Sequence, residues 1–192
     1  MKTKSQTSTN YTIDISRRDT NFASTVMQRS RVDINMCWHC QSCAGGCPFV
    51  SAMDYPPNRV IRLIQLGQRQ EALESSGIWI CVGCNTCSIQ CPNSIDIPAV
   101  NDALREMAIE EGVCVAEPDI LNFHKEVLHS IERYGRTHKF EIMLKYKLRR
   151  HDWFSDAGVG LNMFIKRKLE LLPSRSRDME TIKGLFGQDQ TI

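Results

Sequence analysis

No stretch of this 192-residue chain approaches the roughly 20 consecutive apolar residues that a membrane span requires. The N-terminus shows no apolar core followed by small residues, so no secretory leader is expected. Net charge is only +2, which excludes a global pull toward nucleic acid or an anionic membrane surface. Catalytic signatures are missing as well: there is no glycine-rich phosphate loop, no G-x-G-x-x-G, no G-x-S-x-G and no H-E-x-x-H. Strand-like alternation is confined to Tyr11–Ile15, with no second strand to pair it.

Cysteine is what the chain has in plenty, nine in all. Eight fall in two copies of one pattern, C-x2-C-x2-C-x3-C-P: Cys37, Cys40, Cys43 and Cys47 before Pro48, then Cys81, Cys84, Cys87 and Cys91 before Pro92. This is the bacterial-type ferredoxin run that holds a cubane 4Fe–4S cluster. Three closely spaced thiolates can cover one face of a small cluster when the chain coils tightly around it. The fourth, next to proline, points away from its own loop, and in two-cluster ferredoxins it ligates the other cluster. Carried over here, that rule puts Cys37, Cys40, Cys43 and Cys91 on one 4Fe–4S cluster, and Cys81, Cys84, Cys87 and Cys47 on a second. Structural zinc prefers two separated ligand pairs closing a tetrahedron. A disulfide framework needs an oxidising compartment. Both fit the spacing worse, and reduced thiols argue for a cytoplasmic location.

Around the runs the periodicity is helical, and the fold class expected is all-α. Residues 1–27 read as a flexible or extended N-terminal arm, although Phe22–Arg31 can form a short helix. Val60, Ile61, Leu63, Ile64 and Leu66 make an apolar stripe that Asn58 is placed to cap and Gly67 to end. Arg69–Ser75 reads as a second short helix. Asp96 and Pro98 open another that Gly112 closes, and Pro118 and Asp119 start one ended by Gly135, with Ile120, Phe123, Val127, Leu128 and Ile131 on its apolar face. Residues 139–150 and 160–172 read as further helices, and Gly184 as punctuation. The domains expected are the arm, a two-cluster helical domain over 28–117, and a helical basic extension over 118–192. From Arg133 to Arg177 there are 12 Lys and Arg against 4 Asp and Glu, which is either a solvated face or a docking surface.

Several neighbours of the cysteines carry two readings each. Gly45, Gly46, Gly83 and Asn85 permit the tight loops and let backbone N–H groups approach sulfide. Ile80, Val82, Ile89, Ile95, Ile97, Phe49 and Val50 are expected to keep water from the clusters. His39 either donates to a cluster sulfur or stands exposed and idle. Trp38 and Trp79 read as core aromatics or as lids. Cys114, beside Val113 and Val115, reads as a buried inert thiol.

With both runs, the helical spacer containing Arg59-Val60-Ile61-Arg62, and the stretch from Phe123 to Tyr134-Gly135-Arg136, the chain resembles the C subunit of heterodisulfide reductase, within the α-helical ferredoxins. The likeness covers about residues 28 to 165. The runs themselves are shared with the modules of succinate dehydrogenase and glycolate oxidase. The first adds a plant-type cysteine set and the second paired-cysteine CCG motifs, and neither occurs here. The resemblance implies an oxidoreductase subunit without a substrate site. It would relay electrons from a flavin- and iron–sulfur-bearing A subunit to a CCG-motif B subunit that cleaves a disulfide, in methanogens that of coenzymes M and B. The alternatives are a free ferredoxin-like carrier, an iron–sulfur subunit of a related anaerobic respiratory oxidoreductase, and a cluster-containing sensor.

Overall fold

The computed structural model describes residues 17–150, 176 and 178–188, with only the backbone at 147–150 and 187–188. Residues 1–16 of the expected arm, with the strand-like stretch at 11–15, and the expected helix over 160–172 lie outside the described residues. Every regular element among those described is helical, so the fold is all-α. The chain divides into two compact units, Met1–Ala116 and Glu117–Ile192.

In the first unit α1 (Phe22–Ser30) packs on α3 (Pro57–Gln65) and α7 (Ile97–Glu110). Phe22 and Val26 of α1 are fully buried, so residues 22–27 form part of a helix packed on the core through these two side chains and not an extended arm. Burying two such side chains contributes about 4 kcal/mol, which holds a nine-residue helix that would not form alone. The stripe read on α3 is buried at Val60, Ile61, Leu63 and Ile64, packing on α5 (Ser76–Ile80), whose Ile78 and Trp79 are buried as well; Leu104 and Met107 of α7 belong to the same buried set.

Asn58 does not cap α3: Pro57 is its first residue, and no side chain caps the turn, because proline at that position brings a preset φ and no N–H. Gly67 takes φ +72°, and a Cβ there would collide with the Asp19 carbonyl; the Asp19 N–H donates to the Gly67 carbonyl at 2.8 Å. Next to it α4 (Arg69–Leu73) begins with an arginine that holds three segments. Arg69 pairs with Asp19 at 3.0 Å and with Glu111 at the end of α7, and its guanidinium lies 5.3 Å over the Phe22 ring.

The second unit is built on α8 (Pro118–Tyr134) and α9 (Lys139–Arg150), with α10 (Met179–Gln188) against α8. Gly135, at φ +74°, ends α8 as expected. The face of α8 that is buried carries Glu126, Ser130 and Tyr134, whereas Phe123 and Leu128 of the apolar stripe are exposed. The polar face wins because the α8–α9 turn folds onto it: the His138 N–H donates to Ser130 Oγ at 2.8 Å. Gly184 lies inside α10 and does not interrupt it.

Candidate iron–sulfur site

The two cysteine runs fold as one repeated loop. In the first, His39 (φ 55°) and Gln41 (φ 67°) are left-handed; at the equivalent places in the second, Gly83 (φ 64°) and Asn85 (φ 60°) are. After Gln41 and Asn85 the chain enters the four-residue helices α2 (Ser42–Gly45) and α6 (Thr86–Ile89), which carry the third cysteine of each run. Glycine and asparagine meet that backbone demand at little cost; histidine and glutamine do so at roughly 1 kcal/mol each. His39 has a compensating contact. Its Nε2 lies 2.8 Å from Gln65 Oε1, and Gln65 Nε2 donates to the Ile34 carbonyl at 2.9 Å. Gln65 therefore presents its oxygen, and His39 Nε2 carries the proton. His39 is an anchor from loop to α3, half-buried and not idle.

The thiols repeat as well. Cys40 lies 3.4 Å from the Ser42 hydroxyl and Cys84 3.4 Å from that of Thr86. These hydroxyl contacts lower both thiol pKa values, since a hydroxyl can donate to a thiolate. The third cysteines go the other way. Burial, then the neighbouring Cys37, pushes Cys43 up to about 11, and burial, then Cys81, raises Cys87. Metal ligation must displace those protons.

Two hollows open between the loops and the starts of α3 and α7, each with ≈ 360 Å³ of empty space, part of it open solvent. Cys37, Cys40, Cys43 and Cys91 line the first. Cys47, Cys81, Cys84 and Cys87 line the second. Each thus takes three thiols from one run and the last thiol of the other. Ile97, 3 % exposed, lines both, while Pro57 lines the second and Asn58 the first. Among the described residues no three Cys, His, Asp or Glu side chains close on the point that a single ion would occupy. A cubane binds each thiolate through a different iron, so its ligands stand apart around a wider body, and four thiols spread along the walls of one hollow fit that demand. The helix starts suit it too: α3 and α7 direct the positive ends of their backbone dipoles toward what would be anionic clusters.

What brings the fourth cysteines across is a set of polar ties that no motif marks. Asn93 Nδ2, two residues past Cys91, donates to the Met36 carbonyl just ahead of Cys37. Gly46 faces the Gln90 side chain, which a Cβ there would strike. On α7, Arg105 Nε donates to the Ile78 carbonyl at 2.6 Å and Nη2 to the Cys81 carbonyl, with Asp102 paired at 2.9 Å. Asp54 fastens the start of α5, accepting from Ser75 Oγ (2.8 Å), Ser76 N (2.9 Å) and Gly77 N (3.0 Å). Burial alone would raise its pKa; the hydrogen bonds outweigh burial and hold it below the usual carboxylate range.

The apolar neighbours divide. Ile95 and Ile97 are buried beside the first hollow. Phe49 and Val82 line the second while exposed, and Ile89 is 83 % exposed, so these do not form a closed shield. Ile80 and Val50 are half-buried. Trp79 is a core aromatic, but Trp38 is 74 % exposed at the rim of the first hollow. Cys114 is exposed, not buried, because it falls in the open segment that follows α7.

Comparison with known proteins agrees with this chemistry. Residues 33–95 match the 4Fe–4S dicluster domain. Over 82 residues, 43 % of the chain, it is 33 % identical to the C subunit of a ferredoxin:CoB–CoM heterodisulfide reductase from Methanosarcina acetivorans, covering 33 % of that protein. It is 31 % identical over 81 residues to the iron–sulfur C subunit of the CoB–CoM heterodisulfide reductase of Methanopyrus kandleri, covering 42 % of each chain. To an iron–sulfur C subunit of the CoB–CoM heterodisulfide reductase of Methanocaldococcus jannaschii it is 29 % identical over 104 residues, covering 54 % of this chain and 52 % of that one. The chain thus matches about a third to a half of the length of these curated relatives.

Proposed function

We propose that the 4Fe–4S dicluster domain at residues 33–95, of the type carried by heterodisulfide reductase C subunits, makes this chain the electron relay of a reductase complex. Bound in the two hollows, 4Fe–4S clusters would each take up and release one electron at a time. Cys37, Cys40, Cys43 and Cys91 would hold one, and Cys81, Cys84, Cys87 and Cys47 the other. The single observation that supports this most is the sorting of eight thiols into two fours across a shared residue, Ile97. Ser42 and Thr86 would donate to ligand sulfur, and Arg105 holds the Cys81 backbone in place.

All eight run cysteines are committed as ligands in this reading, which leaves no thiolate of either run for substrate. Disulfide cleavage then belongs to a B-like, CCG-motif partner, and electron entry to an A-like partner bearing flavin and iron–sulfur centres. The apolar side chains exposed at the loops, Trp38, Val82 and Ile89, support a rim that partners cover. Among the described residues no helix is long and apolar enough to cross a membrane, and the thiol chemistry suits the cytoplasm.

Anaerobic purification of the native assembly tests the proposal. Iron and acid-labile sulfide in equal amounts, sufficient for two cubanes per chain, together with co-purifying flavin- and CCG-bearing subunits, are expected. Zinc in place of iron would overturn the cofactor, and a monomer carrying clusters would replace the relay subunit with a free carrier.

A further inference from the structure

The two hollows match in size and thiol number but not in the rest of their walls. Besides its cysteines the first is lined by His39, Gln41, Ser42, Asn58 and Asn93, with Trp38 and a few apolar groups. The second has Phe49, Met53, Pro57, Val82, Ile97 and Pro98, and Thr86 as its one polar residue besides cysteine. Three of the polar groups in the first wall are engaged: His39 with Gln65, Ser42 with Cys40, Asn93 with the Met36 carbonyl. Asn58 differs. Its Oδ1 is buried with no hydrogen-bond partner, although the residue is on the wall of the hollow. A buried amide end left unpaired keeps its full desolvation cost and calls for a partner. A half-turn of the amide exchanges its oxygen and nitrogen, so it can offer an N–H to sulfur within the hollow.

We infer that Asn58 sets an asymmetry between the two sites, making the hollow of Cys37, Cys40, Cys43 and Cys91 the better electron acceptor. Reduction adds one negative charge to a bound cluster. Dipoles and N–H donors in the wall stabilise that charge, and apolar walls do not. The α3 and α7 starts flank both hollows and do not discriminate between them. Arg105 sits behind the Cys81 carbonyl, is neutralised by Asp102, and is not on the second wall. One electron would therefore move from the Cys81 side to the Cys37 side, one cluster being oxidised as the other is reduced, with no proton transferred. Asn58 is a positioning residue in this scheme, acting through the potential and not through substrate.

The inference rests on the two-cluster reading above, and potentiometric titration followed by electron paramagnetic resonance on the anaerobically purified full chain separates the two. Two reduction waves are expected in the wild type. Asn58→Leu should shift the higher wave downward and leave the lower one in place, with iron and sulfide unchanged; Asn58→Gln, which keeps the amide, should restore most of the shift. Conversely, Met53→Gln, which introduces an amide into the second wall, should raise the lower wave alone. Movement of the lower wave in Asn58→Leu, or of neither wave, overturns the assignment. If Asn58→Leu fails to take up iron, Met53→Gln decides: a shift of the higher wave, or none, counts against the asymmetry. Coincident waves in the wild type overturn the asymmetry while leaving the two-cluster reading intact. Protein without iron and sulfide sinks both.

Discussion

Cys47 and Cys91 bear consequences out of proportion to their size, because each is the one thiol that its hollow takes from the other loop. Substituting Cys47→Ser should therefore damage the cluster of Cys81, Cys84 and Cys87 and spare that of its own run. Iron is expected to fall by about half, with the surviving signal that of the Cys37 side. Loss confined to the Cys37–Cys43 cluster would show uncrossed wiring. His39 illustrates how a single residue escapes sequence reasoning. Its position in the run is plain, but its left-handed backbone and its bond to Gln65, 26 residues away, depend on where α3 passes.

Among the elements, α5 is one that periodicity misses. Five residues are too few to show a helical period, and its start is secured by Ser75 and by Asp54, more than twenty residues upstream. Replacing Asp54→Ala removes several hydrogen bonds from that start and should cost about 1–2 kcal/mol, read as a lower melting temperature and faster cluster loss. The folded Asp54 pKa is depressed, so its contribution is complete above the unfolded value of about 3.9 and is lost only as pH falls through the folded value. The gap between wild type and Asp54→Ala should therefore stay flat from about pH 6 to about pH 8; a gap that narrows across that window would contradict the depressed pKa. In α10, Gly184 is a mid-helix glycine at which a Cβ would meet nothing within 4 Å. Gly184→Ala should stabilise that helix by about 0.5–1 kcal/mol, measurable by urea unfolding. No gain would mean that the segment is not helical in solution.

On the scale of the whole molecule, the first unit has a conventional apolar core, and its cysteine loops lie at the edge of that core, at the starts of α3 and α7, with Cys87 the one run cysteine that is buried. Clusters held across the two loops would bind segments far apart in sequence. Anaerobic chelation of the metal should thus lower the melting temperature of the purified chain by at least about 10 °C, the shift that about 2 kcal/mol produces in a unit of roughly 100 residues. Hydrogen exchange should accelerate in residues 37–47 and 81–91 first, with α3 and α7 still protected. Uniform loss of protection would mean that the clusters, and not the apolar core, hold the helices.

The all-helical class and the helices α3, α7, α8 and α9 were legible in the chain, because apolar spacing, proline starts and glycine stops are local and survive without neighbours. The cluster chemistry was legible for the same reason, since three thiolates on one loop are a property of seven consecutive residues. The tertiary structure decided the rest: which face of α8 is buried, that Phe22 and Val26 enter the core, that Cys114 and Trp38 stand open to solvent, and that Asn58 lies on one hollow's wall without a partner. Those outcomes depend on which surfaces meet, and a linear pattern carries no record of its distant contacts.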